Sequence, residues 1–340
     1  MGDLAKGVLG GAWAMLVGWI LPSALNLTVL AVLVLPHLDH VSGLAHVWSV
    51  VRSDVSLLSV AAAVLTGVVL NALQNPLYRL LEGYLLWPGW AYRRGCQRHL
   101  QSKAFLSHRL RLLRLEQREQ LGPLEPDEVD QLVELRGDPR LARVTSADQL
   151  RTSAQKALLR ERLSRYPVDD AQVVPTRLGN AIRRLEEYGH NRYRLDTQVL
   201  WNELSGVAPD QVRRQVELSR VNVDFFVALM YGHLAVASLA FALFFASTGA
   251  PGSLLTTAAV VCCLVPVWYR CAVSATDEWA AAVRALVNVG RKPLAVSLGL
   301  TLPLTVEEER RMWTNVCKMS RLPYHERASV LDTYRDTAAG

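Results

Sequence analysis

The chain has 340 residues, of which 51% are hydrophobic and only 20% charged, with a mean hydropathy of +0.15. That balance excludes a disordered chain and argues against an ordinary water-soluble enzyme, in which about a quarter of the residues are charged. The net charge of +6, from 37 basic and 31 acidic residues, raises nucleic acid as a partner, and the placement of the charges decides that question.

The apolar residues come in blocks. Residues 7–35, 56–73 and 225–269 carry no charge, and the last block is interrupted by Ser247-Thr248-Gly249-Ala250-Pro251-Gly252-Ser253. A helix needs roughly 20 apolar residues to cross a bilayer. The pattern predicts four spans, at Ala12–Leu35, Val55–Leu73, Phe225–Ala246 and Leu254–Tyr269. Trp13, Trp19, Trp268 and Tyr269 are expected at span ends, where amphipathic rings meet the headgroups. The first block is too long for a cleaved signal peptide and contains Pro22 and Asn26, so it reads as an uncleaved anchor. The predicted fold is therefore an all-α, polytopic membrane protein with four transmembrane helices and a helical cytoplasmic cap. Its expected parts are a first hairpin over 1–73, a cytoplasmic domain over 74–222, a second hairpin over 223–270 and a helical tail over 271–340.

Twenty-five of the basic residues lie in 72–222 and ten in 223–340, against two in 1–71. Basic segments resist translocation, so both termini and the 72–222 segment are expected in the cytoplasm of a plasma-membrane protein. The connections 36–54 and 247–253 would then face outside, with Arg52 their one basic residue. Cys96, Cys271 and Cys317 fall on the reducing side, and Cys262 and Cys263 lie inside the fourth span as small packing residues.

In the middle of the chain, Leu73–Trp87 is expected to carry the second helix past Pro76, and Trp87-Pro88-Gly89-Trp90-Ala91-Tyr92 to bend it at the membrane interface. A helix over Gln97–Gln120 would carry an apolar stripe of Leu106, Leu110 and Leu113. Basic residues here (Arg93, Arg94, Arg98, Arg111, Arg114, Arg118) are candidates either for a solvated face or for contact with anionic lipid. No aromatic platform or reading motif accompanies them, so nucleic acid is not an expected partner. Further helices are expected from Pro126 to Leu135, from a capping box at Ser146-Ala147-Asp148-Gln149 to Arg165, from Thr176 to Gly189, over Gln198–Leu204, and from Pro209 straight into the third span. Thr305 with Glu308 forms another capping box, so Glu307–Glu309 is chemistry of a helix start.

The most distinctive stretch reads Arg165-Tyr166-Pro167, Val174-Pro175-Thr176-Arg177-Leu178-Gly179-Asn180, Arg192-Tyr193-Arg194-Leu195-Asp196 and Trp201. With Leu300-Thr301-Leu302-Pro303 and the run Glu307-Glu308-Glu309-Arg310-Arg311-Met312-Trp313, it resembles a family of four-span membrane proteins common in actinobacteria. The resemblance covers about residues 160–315 and implies architecture and lineage, with no activity attached. The chain departs from the pattern at Arg194, where glycine is usual, and at Asn202-Glu203, where Pro-Arg is usual. Arg165, Tyr166, Arg177, Asn180, Arg192, Tyr193, Asp196 and Trp201 are candidates for a partner site or for a polar junction between cap and membrane, with Arg177–Asp196 and Arg192–Glu187 as ion pairs.

No hydrolase, metalloprotease, P-loop or dinucleotide motif is present, so neither an enzyme nor a cofactor is expected. His37, Asp39, His40 and His46 form either a polar cap on the outer face or a metal-binding group, the first being the simpler reading. Asn26 and His233 stand inside spans and are expected to join helices or to line a pore. Pro22 and Pro266 can kink their helices, and Gly7/Gly11 and Ala14/Gly18 have the small-xxx-small spacing of close helix pairs. Two functions compete. One is a non-enzymatic, oligomeric membrane anchor or receptor that docks a cytosolic protein. The other is an oligomeric channel or pore-forming effector gated by the cytoplasmic domain.

Overall fold

The computed structural model describes residues 11–40, 55–141, 152–246, 252–323 and 326–335. Among them there is no β-strand, only an isolated bridge between Leu300 and Arg335. The chain divides into two compact units: Met1–Tyr78 with Gly189–Gly340, and Arg79–Tyr188.

The first unit contains the long apolar helices. Among the described residues three are long and apolar enough to cross a membrane: α1 (Gly11–His37), α9 (Asp210–Ala246) and α10 (Gly252–Ser297). Among the described residues a fourth candidate span results when α2 (Val55–Ala72) and α3 (Gln74–Glu82) are taken together, and its axis bends by 59° between Ser59–Ala72 and Gln74–Glu82. The bend replaces the expected unbroken run through Pro76. Proline has no N–H for the Ala72 carbonyl, and its ring crowds that same group. Two tyrosines hold the bent segment to α9. Tyr231 donates to the Leu77 carbonyl at 2.9 Å, and Tyr78 donates to Asp224 at 2.6 Å.

In α1 the proline is accommodated differently. A π turn over Leu16–Ile20 precedes Pro22, and the wider turn relieves the clash of its ring with the carbonyl four residues back. Gly18 lies against Asp224 and Val221 of α9, as its small-residue spacing anticipates. Gly11 meets nothing within 4 Å, and Gly7 lies outside the described residues. Trp19 is fully buried among these helices. An apolar cluster of Val34, Val236, Ala240, Leu243, Leu254 and Val261 joins α1, α9 and α10. Cys262 and Cys263, by contrast, are exposed on α10 and lie outside this cluster.

α10 is one helix of 46 residues, so the segment expected as a span over Leu254–Tyr269 and the start of the expected helical tail are continuous. The charge at Arg270 marks the edge of the apolar segment, but Arg270-Cys271-Ala272-Val273 has no helix-stopping residue, so the helix continues. The short α8 spans Trp201–Val207, slightly later than expected, with Leu200 and Leu204 buried and Trp201 exposed. α11 (Val306–Arg321) begins at Thr305, whose hydroxyl accepts from the Glu308 N–H at 3.3 Å as the capping box requires.

The second unit is a bundle around α4 (Gly89–Leu121). This helix starts eight residues earlier than expected because Pro88 can stand at its N-cap. Leu110 and Leu113 pack with Leu159 of α6 (Thr152–Ser164). Leu112 and Leu115 pack with Leu132 of α5 (Pro126–Gly137) and with Leu141. α4 is thus apolar on two sides, where the leucine stripe predicted one. The capping box at Ser146–Gln149 lies outside the described residues. α7 (Arg177–Tyr193) runs past Gly189 and ends where Arg194 adopts φ +63°. The turn after Tyr193 therefore forms with Arg194 in the left-handed region.

Candidate functional site

The signature residues divide between the units. Arg165, Tyr166, Arg177 and Asn180 belong to Arg79–Tyr188, and Arg192, Tyr193, Asp196 and Trp201 belong to the other unit.

In the bundle unit the signature builds a loop lock. Asn180 is buried; its Oδ1 accepts from the Val174 N–H at 3.0 Å, and its Nδ2 donates to the carbonyls of Val174 at 2.7 Å and Thr176 at 2.6 Å. Thr176 caps α7 by accepting from the Gly179 N–H at 3.0 Å. Pro175 fills a slot made by Gly83 and Gly95, where a Cβ on either glycine would overlap its ring. Tyr166 meets His99 at 3.0 Å, and Arg165 pairs with Glu161 at 2.8 Å. Burial, aided by the Arg177 charge, lowers the His99 pKa and favours the neutral ring in this contact. Arg177 itself is exposed.

In the other unit the end of α7 meets the tail. Tyr193 donates to Asn288 at 3.1 Å, and the Arg291 guanidinium lies over its ring, 4.4 Å from the centroid. Arg291 also pairs with Glu309, a buried carboxylate whose other oxygen accepts from the Trp313 indole at 3.1 Å. Arg310 donates to the carbonyls of Asn191 and Arg192, both at 2.8 Å, closing the exposed C-terminus of α7. Asp196 pairs with Arg321, and its backbone N–H reaches the Cys317 sulfur at 3.3 Å. Burial pushes the Cys317 thiol up, away from the reactive thiolate. The side chains of Arg192 and Trp201 are exposed beside this junction. The second half of the signature and the tail motif, about 120 residues apart in sequence, are thus two sides of one contact. Tyr193 and Asp196 were visible in the sequence; Asn288 and Arg291, inside an ordinary helical pattern, gave no signal.

The two intramembrane candidates also meet. His233 Nδ1 lies 2.6 Å from Asn26 Oδ1 and 3.0 Å from the Leu229 carbonyl, and Asn26 Nδ2 donates to the Pro22 carbonyl at 2.8 Å. Two acceptors around Nδ1 make it the protonated nitrogen. Both side chains are buried, and a Cβ at Gly232 would overlap the Asn26 amide. The pair couples α1 to α9 through groups that are costly to leave unmade in lipid.

Of the basic candidates, Arg111 bonds to Gln131 and Arg118 pairs with Glu128, both on α5, while Arg93, Arg94, Arg98 and Arg114 are exposed. His37 bonds to Ser253 at 2.8 Å and ties the end of α1 to the start of α10. The side chains of Asp39 and His40, and all of His46, lie outside the described residues. Among the described residues no group of three or more His, Cys, Asp or Glu side chains converges as a metal site. Comparison of the chain with protein-family models, with curated proteins and with solved structures gave no match.

Proposed function

We propose that this chain is a non-enzymatic, multi-pass membrane anchor or receptor of the plasma membrane. In this reading both termini and the Arg79–Tyr188 unit face the cytoplasm, and α3 completes a fourth span with α2. The protein needs no cofactor, and its helical unit docks a cytosolic protein, with the whole assembled as a homo-oligomer. The kinship to the actinobacterial four-span proteins belongs to the same proposal. The observation that supports docking is the bundle unit: it carries its own leucine clusters, yet leaves Val129 and Val133, one turn apart on α5, exposed with Leu121. The channel reading draws less support, because Asn26 and His233 satisfy one another between helices.

The test is a crosslinked pull-down of the full chain from gently solubilised membranes. A stoichiometric cytosolic partner is expected, and it should be lost with Val129→Glu/Val133→Glu while the protein still elutes as a folded species. Recovery of the protein alone, or of the same partner with the variant, would refute this docking surface.

A further inference from the structure

We infer that the turn Gly83–Trp90 is a wedge that enters an anionic bilayer surface, with Arg93, Arg94 and Arg98 binding the lipid phosphates behind it. The turn is well fixed. Tyr84 N–H and Leu85 N–H both bond to the Arg79 carbonyl, at 2.9 and 3.2 Å, and the Trp87 indole donates to the Leu80 carbonyl at 2.9 Å. At its tip Leu86 adopts φ +58° and is 82% exposed. A left-handed backbone disfavours a branched apolar residue, and water disfavours its exposure, so leucine is doubly unsuited to this place in an aqueous setting. Trp90, 68% exposed, stands just beyond the tip in the first turn of α4.

Position and charge identify the occupant. The apolar pair Ser59–Ala72 and Gln74–Glu82 ends four residues before Leu86, so the tip stays within about 14 Å of that helix end along the chain. Arg93, Arg94 and Arg98 follow Trp90 at helical spacings of three, four and eight, on one side of α4. All three are exposed, and their side chains make no ion pair or hydrogen bond among the described residues. Residues 83–115 contain seven basic residues and no acidic one. Exposed Trp with adjacent unpaired Arg is the composition of an interfacial anchor: the rings sit at the glycerol level and the guanidiniums grip phosphate in two-point contacts. Arg111 and Arg118 are committed to α5 and stand outside this surface. The inference rests on the membrane reading and is independent of the cytosolic partner.

The test places a nitroxide at Leu86→Cys in full-length protein whose native cysteines are replaced, reconstituted in nanodiscs with and without anionic phosphatidylglycerol. Labels at Leu121→Cys and Val260→Cys give the water and hydrocarbon references. The Leu86 label should be accessible to oxygen and shielded from a water-soluble nickel complex, at a depth of about 5–10 Å below the phosphates. Each of Arg93→Gln, Arg94→Gln and Arg98→Gln should shift the inserted-to-free ratio by about fivefold, in anionic discs only. A Leu86 label as open to nickel as Leu121 would overturn the wedge. Shielding from both nickel and oxygen would overturn it in favour of a protein contact. A Val260 label open to nickel would instead overturn the membrane reading itself. Where the cysteine-free protein fails to fold, quenching by brominated lipid chains in the native-cysteine protein, compared with Trp90→Phe, decides the same question: equal quenching overturns the wedge.

Discussion

Removal of the Glu309 carboxylate is expected to release α11 from Arg291 on α10. Glu309 is only 3% exposed, and its two oxygens serve the Arg291 guanidinium and the Trp313 indole. Breaking a buried ion pair by deleting one partner costs about 3–5 kcal/mol. The Arg291 side chain is 26% exposed, so water partly compensates it and the lower end, about 3 kcal/mol, applies. The orphaned indole N–H adds about 1 kcal/mol. A total near 4 kcal/mol should raise the opening of α11 by roughly a thousandfold. Arg310, Arg311, Lys318 and Arg321 make the helix a direct tryptic target, so cleavage rates in detergent report opening, with hydrogen exchange over 306–321 as a second readout. Glu309→Ala should be cut far faster than wild type, and Glu309→Leu with Arg291→Met should recover much of the protection, because an apolar pair removes both uncompensated charges. Cleavage of Glu309→Ala within threefold of wild type would refute the reasoning that this ion pair holds the tail.

Three further outcomes follow from single positions. Arg194→Gly should stabilise the C-terminal turn of α7 by up to about 1 kcal/mol, because φ +63° is strained for arginine and open to glycine. Slower exchange at residues 189–194 checks it, and faster exchange would mean that the Arg194–His190 contact outweighs the strain. Asn180→Ala should destabilise the bundle unit by about 1–3 kcal/mol by leaving the buried N–H and carbonyl of Val174 unpaired, read as a lower melting temperature with Asn180→Asp also impaired. Lys156 is buried against Gln117, and its pKa is lowered by burial and then by Arg160 and Arg114. Between that lowered value and the ordinary 10.5 the unfolded chain holds a proton that the folded one has released, so stability of α6 should rise with pH there. Hydrogen exchange of α6, corrected for intrinsic rates, should show this slope in wild type and lose it in Lys156→Met.

The apolar spans were legible because lipid demands long uncharged runs, and α1 and α9 sit where those runs predict. Helix ends were less so. Charge at Arg270 reports the edge of the apolar stretch, while helix termination needs its own stop, and α10 runs through Pro266 and Pro293 to end just before Gly299, which adopts φ +71°. The bend at Leu73 was half visible: Pro76 announces a lost hydrogen bond, but its angle is set by Tyr78 and Tyr231, partners some 150 residues apart in sequence. At the junction, Tyr193, Asp196 and Glu309 stood out as polar residues in distinctive motifs. Their assembly depends on Arg291 and Asn288, which local pattern cannot distinguish from solvated helix positions.

Sided vesicles distinguish a cytoplasmic from an external Arg79–Tyr188 unit in a membrane protein. Trypsin added to sealed inverted membrane vesicles should cut within residues 79–188. The same protease added to sealed right-side-out vesicles should leave that unit intact. Cleavage within 79–188 from the outside, or release of the whole protein by alkaline carbonate, would contradict the account.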